Sequence, residues 1–178
     1  MTQLLAIGAS NSKNSINKAF AAYSARQLPE SIVTTLDLND FEMPLYSVDR
    51  ESATGIPAQA KLFFEAIQKS DAIVISFAEH NGSYSAAFKN LLDWTSRIDQ
   101  KLWQNKPMLL LATSPGGRGG ATVLESAKQT FPHLGAKVIG SFALPSYYEK
   151  FSVEKGLLDP QLNESFQKEW KLFADQLN

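Results

Sequence analysis

Residues 72–94 read AIVISFAEHNGSYSAAFKNLLDW and predict a buried strand that passes through a polar loop into a helix. The run Ala72–Phe77 is rich in β-branched and apolar residues, which is typical of a strand covered on both faces of a parallel sheet. Ser85 is a suitable helix N-cap, and the apolar positions after it recur at helical spacing. Ligands of open α/β sheets bind at the carboxyl ends of the strands, so residues 79–83 form either a binding loop or an ordinary connection.

The same unit of strand and helix repeats along the chain. Strand-like apolar segments lie at residues 4–7, 31–37, 72–77, 107–113 and 137–143, and a helical pattern follows each of them. Residues 39–55 and 99–106 read as connections, and the apolar stripe Leu162, Phe166, Trp170, Phe173 and Leu177 reads as the packing face of a final helix. Five such units predict one α/β domain, residues 1–178, with a doubly wound parallel sheet in the order 2-1-3-4-5.

Composition limits the classes of partner and cofactor. The formal net charge is −1, from 17 basic and 18 acidic residues, and gives no field that would attract nucleic acid or anionic lipid. No apolar run approaches the roughly 20 residues that span a bilayer, and the first residues lack the basic start of a signal peptide. The chain has no cysteine, and its two histidines, His80 and His133, lie far apart. We therefore expect a cytoplasmic protein with no nucleic-acid, membrane or metal site.

The loop after the first strand is rich in groups that bind anions. Residues 9–15 contain three serines, two asparagines and a lysine, and a helix follows them. A helix N-terminus offers unpaired N–H groups and the positive end of the helix dipole, so hydroxyls and amides there form an anion site, most often for phosphate. Ser15 or Asn14 alone would explain a helix cap, but five such residues exceed what a cap needs. Neither a Walker loop nor Gly-x-Gly-x-x-Gly is present.

The loop after the fourth strand, residues 114–120, contains four glycines in seven residues. Glycine is needed where a backbone takes positive φ or comes close to a flat ligand, and a plain turn needs only one or two. In the predicted strand order the switch point lies between strands one and three, so the loops after strands one, three and four meet at one crevice. A phosphate site, a polar edge and a glycine-lined edge together suit a mononucleotide with a planar ring.

These three loops resemble those of the NAD(P)H-dependent FMN reductases of the flavodoxin-like fold, a family that includes quinone, chromate and azo-dye reductases. The resemblance covers roughly residues 3–145, and the second loop carries it most specifically. The family pattern Pro-Glu-Tyr-Asn-Gly-Ser-Tyr-Pro-Gly-x-Leu-Lys-Asn-x-x-Asp-Trp is matched by AEHNGSYSAAFKNLLDW at residues 78–94. Gly-Ser-x-Arg-x-x-Ser-x-Asn is matched by residues 8–17, and Ser-x-Gly-x-x-Gly-Gly by residues 114–120. Ser12 stands at the arginine of the first pattern, and Ala78 and His80 stand at the proline and tyrosine of the second.

The resemblance implies a flavodoxin-like three-layer sandwich that binds FMN and uses NADPH or NADH as co-substrate. A reduced nicotinamide would pass a hydride to the flavin, and a quinone, free flavin, azo compound or similar small acceptor would take electrons at the same face. The implied cofactor-binding residues are Ser10, Ser12, Ser15, Ile16 and Asn17, near the phosphate, and Ala78, Glu79, His80, Asn81, Gly82, Ser114, Pro115, Gly116 and Gly117, along the isoalloxazine. Backbone N–H groups of the last two loops would stabilise the reduced ring, so no catalytic side chain and no metal is named. The resemblance also implies a homodimer or homotetramer in which the helix after Ser85 takes part.

Two other functions stay open at this stage. A flavodoxin-type electron carrier would bind FMN without efficient NADPH oxidation, although such carriers tend to be strongly acidic. A flavin-free binding module of the same fold is the other, because Ser12, Ala78 and His80 differ from the family pattern. Several side chains also have two interpretations. His80 either contacts the ring or is a surface donor, and Arg118 either contacts the phosphates of the nicotinamide cofactor or is a solvated cation. Tyr84 and Trp94 either pack their helix or form a subunit interface, and Lys89 and Asp93 form either a surface ion pair or part of an interface.

Overall fold

The computed structural model describes residues 1–177 and contains a five-stranded parallel sheet in the order β2-β1-β3-β4-β5. The predicted strand order is therefore confirmed, while Asn178, the last residue of the expected domain, lies outside the described residues. The strands are β1 (Thr2–Ala9), β2 (Ser31–Leu36), β3 (Ala72–Phe77), β4 (Pro107–Thr113) and β5 (Lys137–Leu144). A short antiparallel hairpin of β6 (Phe151–Ser152) and β7 (Gly156–Leu157) follows.

Helices cover both faces of the sheet and form the outer layers of a three-layer sandwich. They are α1 (Ile16–Ala25), α2 (Val48–Thr54), α3 (Ala58–Lys69), α4 (Ala86–Thr95), α5 (Ala121–Thr130), α6 (Tyr147–Lys150) and α7 (Pro160–Ala174). Ser85 caps α4 through its hydroxyl, as the sequence predicts, and Ser15, one of the two candidates with Asn14, caps α1 in the same way. Among residues 1–177, no helix has both the length and the apolar character that crossing a bilayer requires.

The position of β3 in the sheet explains why its sequence consists almost entirely of apolar residues. Successive side chains of a strand point to opposite faces, and each face of this sheet is covered by helices. Ile73, Ile75 and Phe77 pack in one core with α3, α4 and α5. Ala72 and Val74 pack in the other with α1 and α7. All six residues of β3 are buried, and each large side chain contributes about 1.5–3 kcal/mol from burial.

The two connections are more structured than their sequences predict. Residues 39–55 contain the end of a 3₁₀ turn, Leu38–Phe41, and all of α2, whose N-terminus is capped by Ser47. Residues 99–106 read as polar, yet Leu102 and Trp103 are fully buried, and the Trp103 ring stacks on Phe131 with 4.9 Å between centroids. Trp103 therefore completes the core below α5.

The region near the end of the chain contains short elements that the sequence does not predict. Helix α5 ends at Thr130, and Phe131 and Leu134 lie on a 3₁₀ turn that stops at Gly135 in the left-handed conformation. Helix α6 and the hairpin that follows it were not predicted. The expectation for the last helix is correct, since Phe166 and Phe173 are buried in the core shared with α1.

The side chain of Asn17 joins α1 to the carboxyl ends of two central strands. Its Nδ2 donates to the carbonyl of Thr113 at 3.1 Å, and its Oδ1 accepts from the N–H of Thr113 at 3.1 Å and from the hydroxyl of Ser76 at 2.7 Å. Helix α1 comes close enough because residue 8 is glycine: a Cβ at Gly8 would lie 2.4 Å from the Lys18 backbone. The amide is therefore a buried link between α1, β3 and β4.

We predict that Asn17→Ala lowers the free energy of unfolding by about 2–4 kcal/mol, because it leaves the Ser76 hydroxyl and the Thr113 peptide groups buried without partners. Urea unfolding of the flavin-free protein measures this loss. Asn11→Ala, an exposed asparagine in the same loop, is the control and should change stability by about 0.5 kcal/mol or less. Equal stability of the two variants would contradict the role of the Asn17 amide.

Candidate functional site

The loops after β1, β3 and β4 meet at one pocket of about 180 Å³ at the carboxyl ends of the strands. Ten of the fourteen expected cofactor-binding residues line this pocket, which is called the phosphate pocket below after the group that it is expected to hold: Ser10, Ser12, Ser15, Ile16, Asn17, Ala78, Glu79, His80, Ser114 and Pro115. The other four, Asn81, Gly82, Gly116 and Gly117, are exposed on the adjacent turns of the same loops. Asn14, Thr113 and Tyr148 also line the pocket and were not among the expected residues.

Several polar side chains of the first loop are bonded within the protein. Ser15 accepts the N–H of Lys18 at 3.1 Å, and Ser10 accepts the N–H of Ser12 at 3.2 Å. The Asn17 amide is committed to Thr113 and Ser76, so its side chain does not face a ligand. A phosphate here would instead meet the N–H groups of Ile16 and Asn17, which donate to no acceptor in the described part of the chain.

No lysine or arginine is among the residues that line the phosphate pocket. Lys18 lies nearby on α1, but its ammonium is 2.5 Å from a carboxylate oxygen of Asp37. This ammonium, with the N–H of Asn39, lowers the pKa of Asp37 to about 2 from an ordinary value of 3.8. Lys18 is therefore engaged by the carboxylate that follows β2, and it does not line the pocket.

The tip of the second loop is a two-residue hairpin turn. The backbones of His80 and Ser83 exchange hydrogen bonds of 2.9 and 3.0 Å, and the residues between them, Asn81 and Gly82, have φ values of 52° and 73°. Positive φ at both central residues is the property of a type I′ turn, which Asn-Gly favours. The Asn-Gly pair at residues 81–82 was therefore a readable signal for this turn. The turn holds His80 and Asn81 in exposed positions.

The carboxylate of Glu79 is bonded to the start of the helix that follows the third loop. Its Oε2 accepts the backbone N–H of Val123 at 2.8 Å, in the first turn of α5. The cap residue of α5 is Gly120, which has no side chain to bond this turn. Glu79 thus acts as a cap from a loop 44 residues away, and it joins the second loop to the third.

The four glycines of the third loop have two different roles. Gly119 and Gly120 have φ values of 60° and 77°, and a Cβ at Gly119 would lie 2.7 Å from the carbonyl of Leu144. Both glycines are needed for the positive φ, and they pack closely against β5 at Leu144 and against β4 at Ala112, respectively. A Cβ at Gly117 would meet nothing within 4 Å, and one at Gly116 would meet only the Ser114 hydroxyl at 3.8 Å. Gly116 and Gly117 therefore leave an open backbone edge beside the pocket.

The structure also places the side chains that had two interpretations. Trp94 is buried and donates through Nε1 to the carbonyl of Pro44 at 2.7 Å, so it packs within the chain. Tyr84 is half-buried against aromatic rings of the core. Arg118 donates to the hydroxyl of Thr122 at 2.8 Å. Lys89 and Asp93 form an i,i+4 ion pair at 2.7 Å on the surface of α4, which is worth about 0.3–0.5 kcal/mol.

We predict that Glu79→Ala lowers the free energy of unfolding by about 1 kcal/mol, because the first turn of α5 loses its only side-chain cap among the described residues. Glu79→Gln is the matched variant, since its amide oxygen can still accept the N–H of Val123, and it should retain most of the stability. Urea unfolding of both variants measures the difference. Equal losses for alanine and glutamine would show that charge, and not the hydrogen bond, is what matters.

Comparison with known proteins gives consistent matches. A family model described as NADPH-dependent FMN reductase matches residues 2–149. A quinone reductase of Escherichia coli is 30% identical over 150 residues, which cover 82% of this chain and 77% of that protein. An NAD(P)H-dependent FMN reductase of Pseudomonas aeruginosa is 28% identical over 170 residues, with 94% and 90% covered.

Solved structures match over the full length of the fold. The flavoenzyme NAD(P)H:(acceptor) oxidoreductase of Paracoccus denitrificans superposes with a TM-score of 0.75 at 24% identity, covering 98% of this chain and 96% of that one. An NADH:FMN oxidoreductase superposes with a TM-score of 0.77 at 19% identity, covering 100% and 91%. At these identities the structural likeness establishes the flavodoxin-like fold.

Proposed function

Because the chain belongs to the NADPH-dependent FMN reductase family, we propose that it is an FMN-dependent oxidoreductase that carries electrons from NADPH or NADH to a quinone, free flavin, azo compound or similar small acceptor. When bound, FMN supplies the redox chemistry, accepting a hydride from the reduced nicotinamide and giving electrons to the acceptor. The protein supplies position, a hydrogen-bonding environment and access. No side chain is assigned a catalytic role, and no metal is part of the proposal.

The convergence of three loops on the phosphate pocket is the observation that carries this proposal. Unpaired N–H groups of Ile16 and Asn17 at the start of α1, with the hydroxyl of Ser12, suit a phosphate. The pocket holds about 180 Å³, below the roughly 300 Å³ at which small-molecule sites begin, so it fits the phosphate end of a mononucleotide and not the whole molecule. An isoalloxazine would then lie over the exposed edges formed by residues 79–82 and 114–117.

The exposed loop edges fit a planar ring in two respects. The edge at Gly116 and Gly117 has no Cβ to hold a ring away from the backbone. The second edge is held rigidly by the turn at Asn81 and Gly82 and by the bond from Glu79 to α5. Backbone N–H groups fixed in this way stabilise negative charge as an oxyanion hole does, which favours the reduced state of a flavin.

The direct test is a flavin spectrum followed by steady-state kinetics. Purified protein loaded with FMN should retain flavin absorbance after desalting, and should oxidise NADPH or NADH when a quinone, free flavin or azo dye is supplied. Absence of bound or titratable flavin would favour the flavin-free binding module. Bound FMN without turnover by either nicotinamide would favour the electron carrier. Comparison of the two nicotinamides and three acceptors in the same assay identifies the preferred pair.

We predict that Asn81→Asp weakens FMN binding by about three- to tenfold, because it places a negative charge beside the ring while Asp-Gly still supports the type I′ turn. Fluorescence titration with FMN measures the change. Asn105→Asp is the matched control: Asn105 is also exposed and has a φ of 57°, but it precedes β4 at the opposite end of the sheet. Unchanged affinity in Asn81→Asp would contradict the placement of the ring at this turn.

The proposal includes a cytoplasmic location, because reduced nicotinamides are available there. It also includes assembly into a homodimer or homotetramer. Two large apolar side chains near α4, Leu45 and Val48, are each 67% exposed, and their segment is bonded to α4 through the Asn90 side chain and the N–H of Tyr46. An interface at this segment and α4 would cover them. Light scattering coupled to gel filtration tests this part, and a monomer at micromolar concentration would contradict it.

A further inference from the structure

One residue that lines the phosphate pocket comes from outside the three loops. Tyr148, on the short helix α6 after β5, lines the pocket together with Ser10, Ser12 and Ser15. The Tyr148 side chain is 72% exposed, and its hydroxyl has no hydrogen-bond partner in the described part of the chain. A phenol without a hydrogen-bond partner is therefore among the residues that line the pocket, beside the serines of the first loop.

The position of Tyr148 is fixed by the third loop. The N–H of Ser146 donates to the carbonyl of Gly116 at 3.0 Å, and the N–H of Tyr147 donates to the carbonyl of Ser114 at 3.1 Å. The ring of Tyr147 is buried, packs on Phe151 and meets the ring of Tyr148 edge to face with 5.4 Å between centroids. Tyr148 is thus held at the pocket by the same loop that borders the ring site.

A phosphate in this pocket needs charge-assisted donors that the first loop supplies only in part. The lining includes no lysine or arginine, and Lys18 is engaged with Asp37. Ser12 occupies the position of the arginine in the family pattern of this loop. A hydrogen bond to a charged group contributes more to binding than one between neutral groups. An additional O–H donor at the open side would therefore strengthen the binding of a phosphate.

We propose that Tyr148 is a cofactor-binding residue whose hydroxyl donates a hydrogen bond to the phosphate of FMN, while its ring covers the open side of the phosphate pocket. This inference rests on the proposed function. Tyr148 contributes, from the segment after β5, part of the phosphate binding that an arginine would contribute from the first loop. The residue acts in cofactor binding only, and the chemical step does not depend on it.

Comparison of FMN with riboflavin tests this role, because riboflavin has the same ring and lacks the phosphate. Flavin-free wild type, Tyr148→Phe and Tyr148→Ala are titrated with both flavins by fluorescence. Tyr148→Phe should weaken FMN binding about tenfold and leave riboflavin binding within about twofold. Tyr148→Ala should weaken FMN binding at least as much. Tyr23→Phe is the matched control, since the Tyr23 hydroxyl also has no polar partner among the described residues and does not line the pocket.

The outcomes separate this inference from the proposed function. FMN affinity that is equal in wild type and Tyr148→Phe overturns the inference alone. Equal weakening of FMN and riboflavin also overturns it, because the hydroxyl would then act on the ring and not on the phosphate. Wild-type protein that binds no FMN overturns the proposed function and the inference with it. Thermal unfolding of each variant without flavin confirms that the proteins compared are folded.

Discussion

The buried amide of Asn17 is the interaction on which the geometry of the site depends. It holds the first turn of α1 against the ends of β3 and β4 through three hydrogen bonds, so the start of the helix and two strand ends form one rigid unit. Thr113 extends this unit, because its hydroxyl donates to the carbonyl of Leu144 on β5 at 2.8 Å. Buried polar networks that are fully bonded fix a single arrangement, because any alternative leaves unpaired groups in a medium of low dielectric. The N–H groups of Ile16 and Asn17 are aimed at the pocket because the amide fixes the helix behind them.

Side chains in the three loops mainly hold the loops to one another, and this leaves backbone groups for the ligand. Ser85 caps α4 and also donates to the carbonyl of Ala9 at 2.9 Å, which joins the second loop to the end of β1. Glu79 joins the second loop to α5. A ligand site made from backbone N–H groups requires such fixation, since a mobile loop would lose entropy each time it bound. The polar residues that suggest ligand contacts in the sequence are thus, in several cases, the residues that build the frame.

The strands and their order could be predicted from the sequence because burial on both faces requires apolar residues at every position. The predicted bounds of β3 and β4 are those of the structure. The helix caps at Ser15 and Ser85 were predictable for a similar reason, as they depend on residues three positions away. Contacts between distant segments were not predictable: neither Glu79 capping a helix 44 residues later nor Tyr148 reaching the first loop has a local signal. Trp103 was misjudged because its polar neighbours face solvent while its own ring completes the core.

The electrostatic potential at the site depends on which helix N-termini remain available to a ligand. Helices α1, α4 and α5 begin at the edge where the loops meet, and of these three only α1 contributes residues to the pocket. Each helix N-terminus carries a partial positive charge of about half a unit. The carboxylate of Glu79 already occupies the first turn of α5, so that dipole is offset within the protein. The start of α1 is therefore the part of the described pocket that attracts an anion, helped by hydroxyls, since no lysine or arginine lines it. A phosphate and a reduced, negatively charged flavin would repel each other more in such a site than in one with an arginine. Each neutral donor near the phosphate consequently matters more for affinity here than it would beside a guanidinium group.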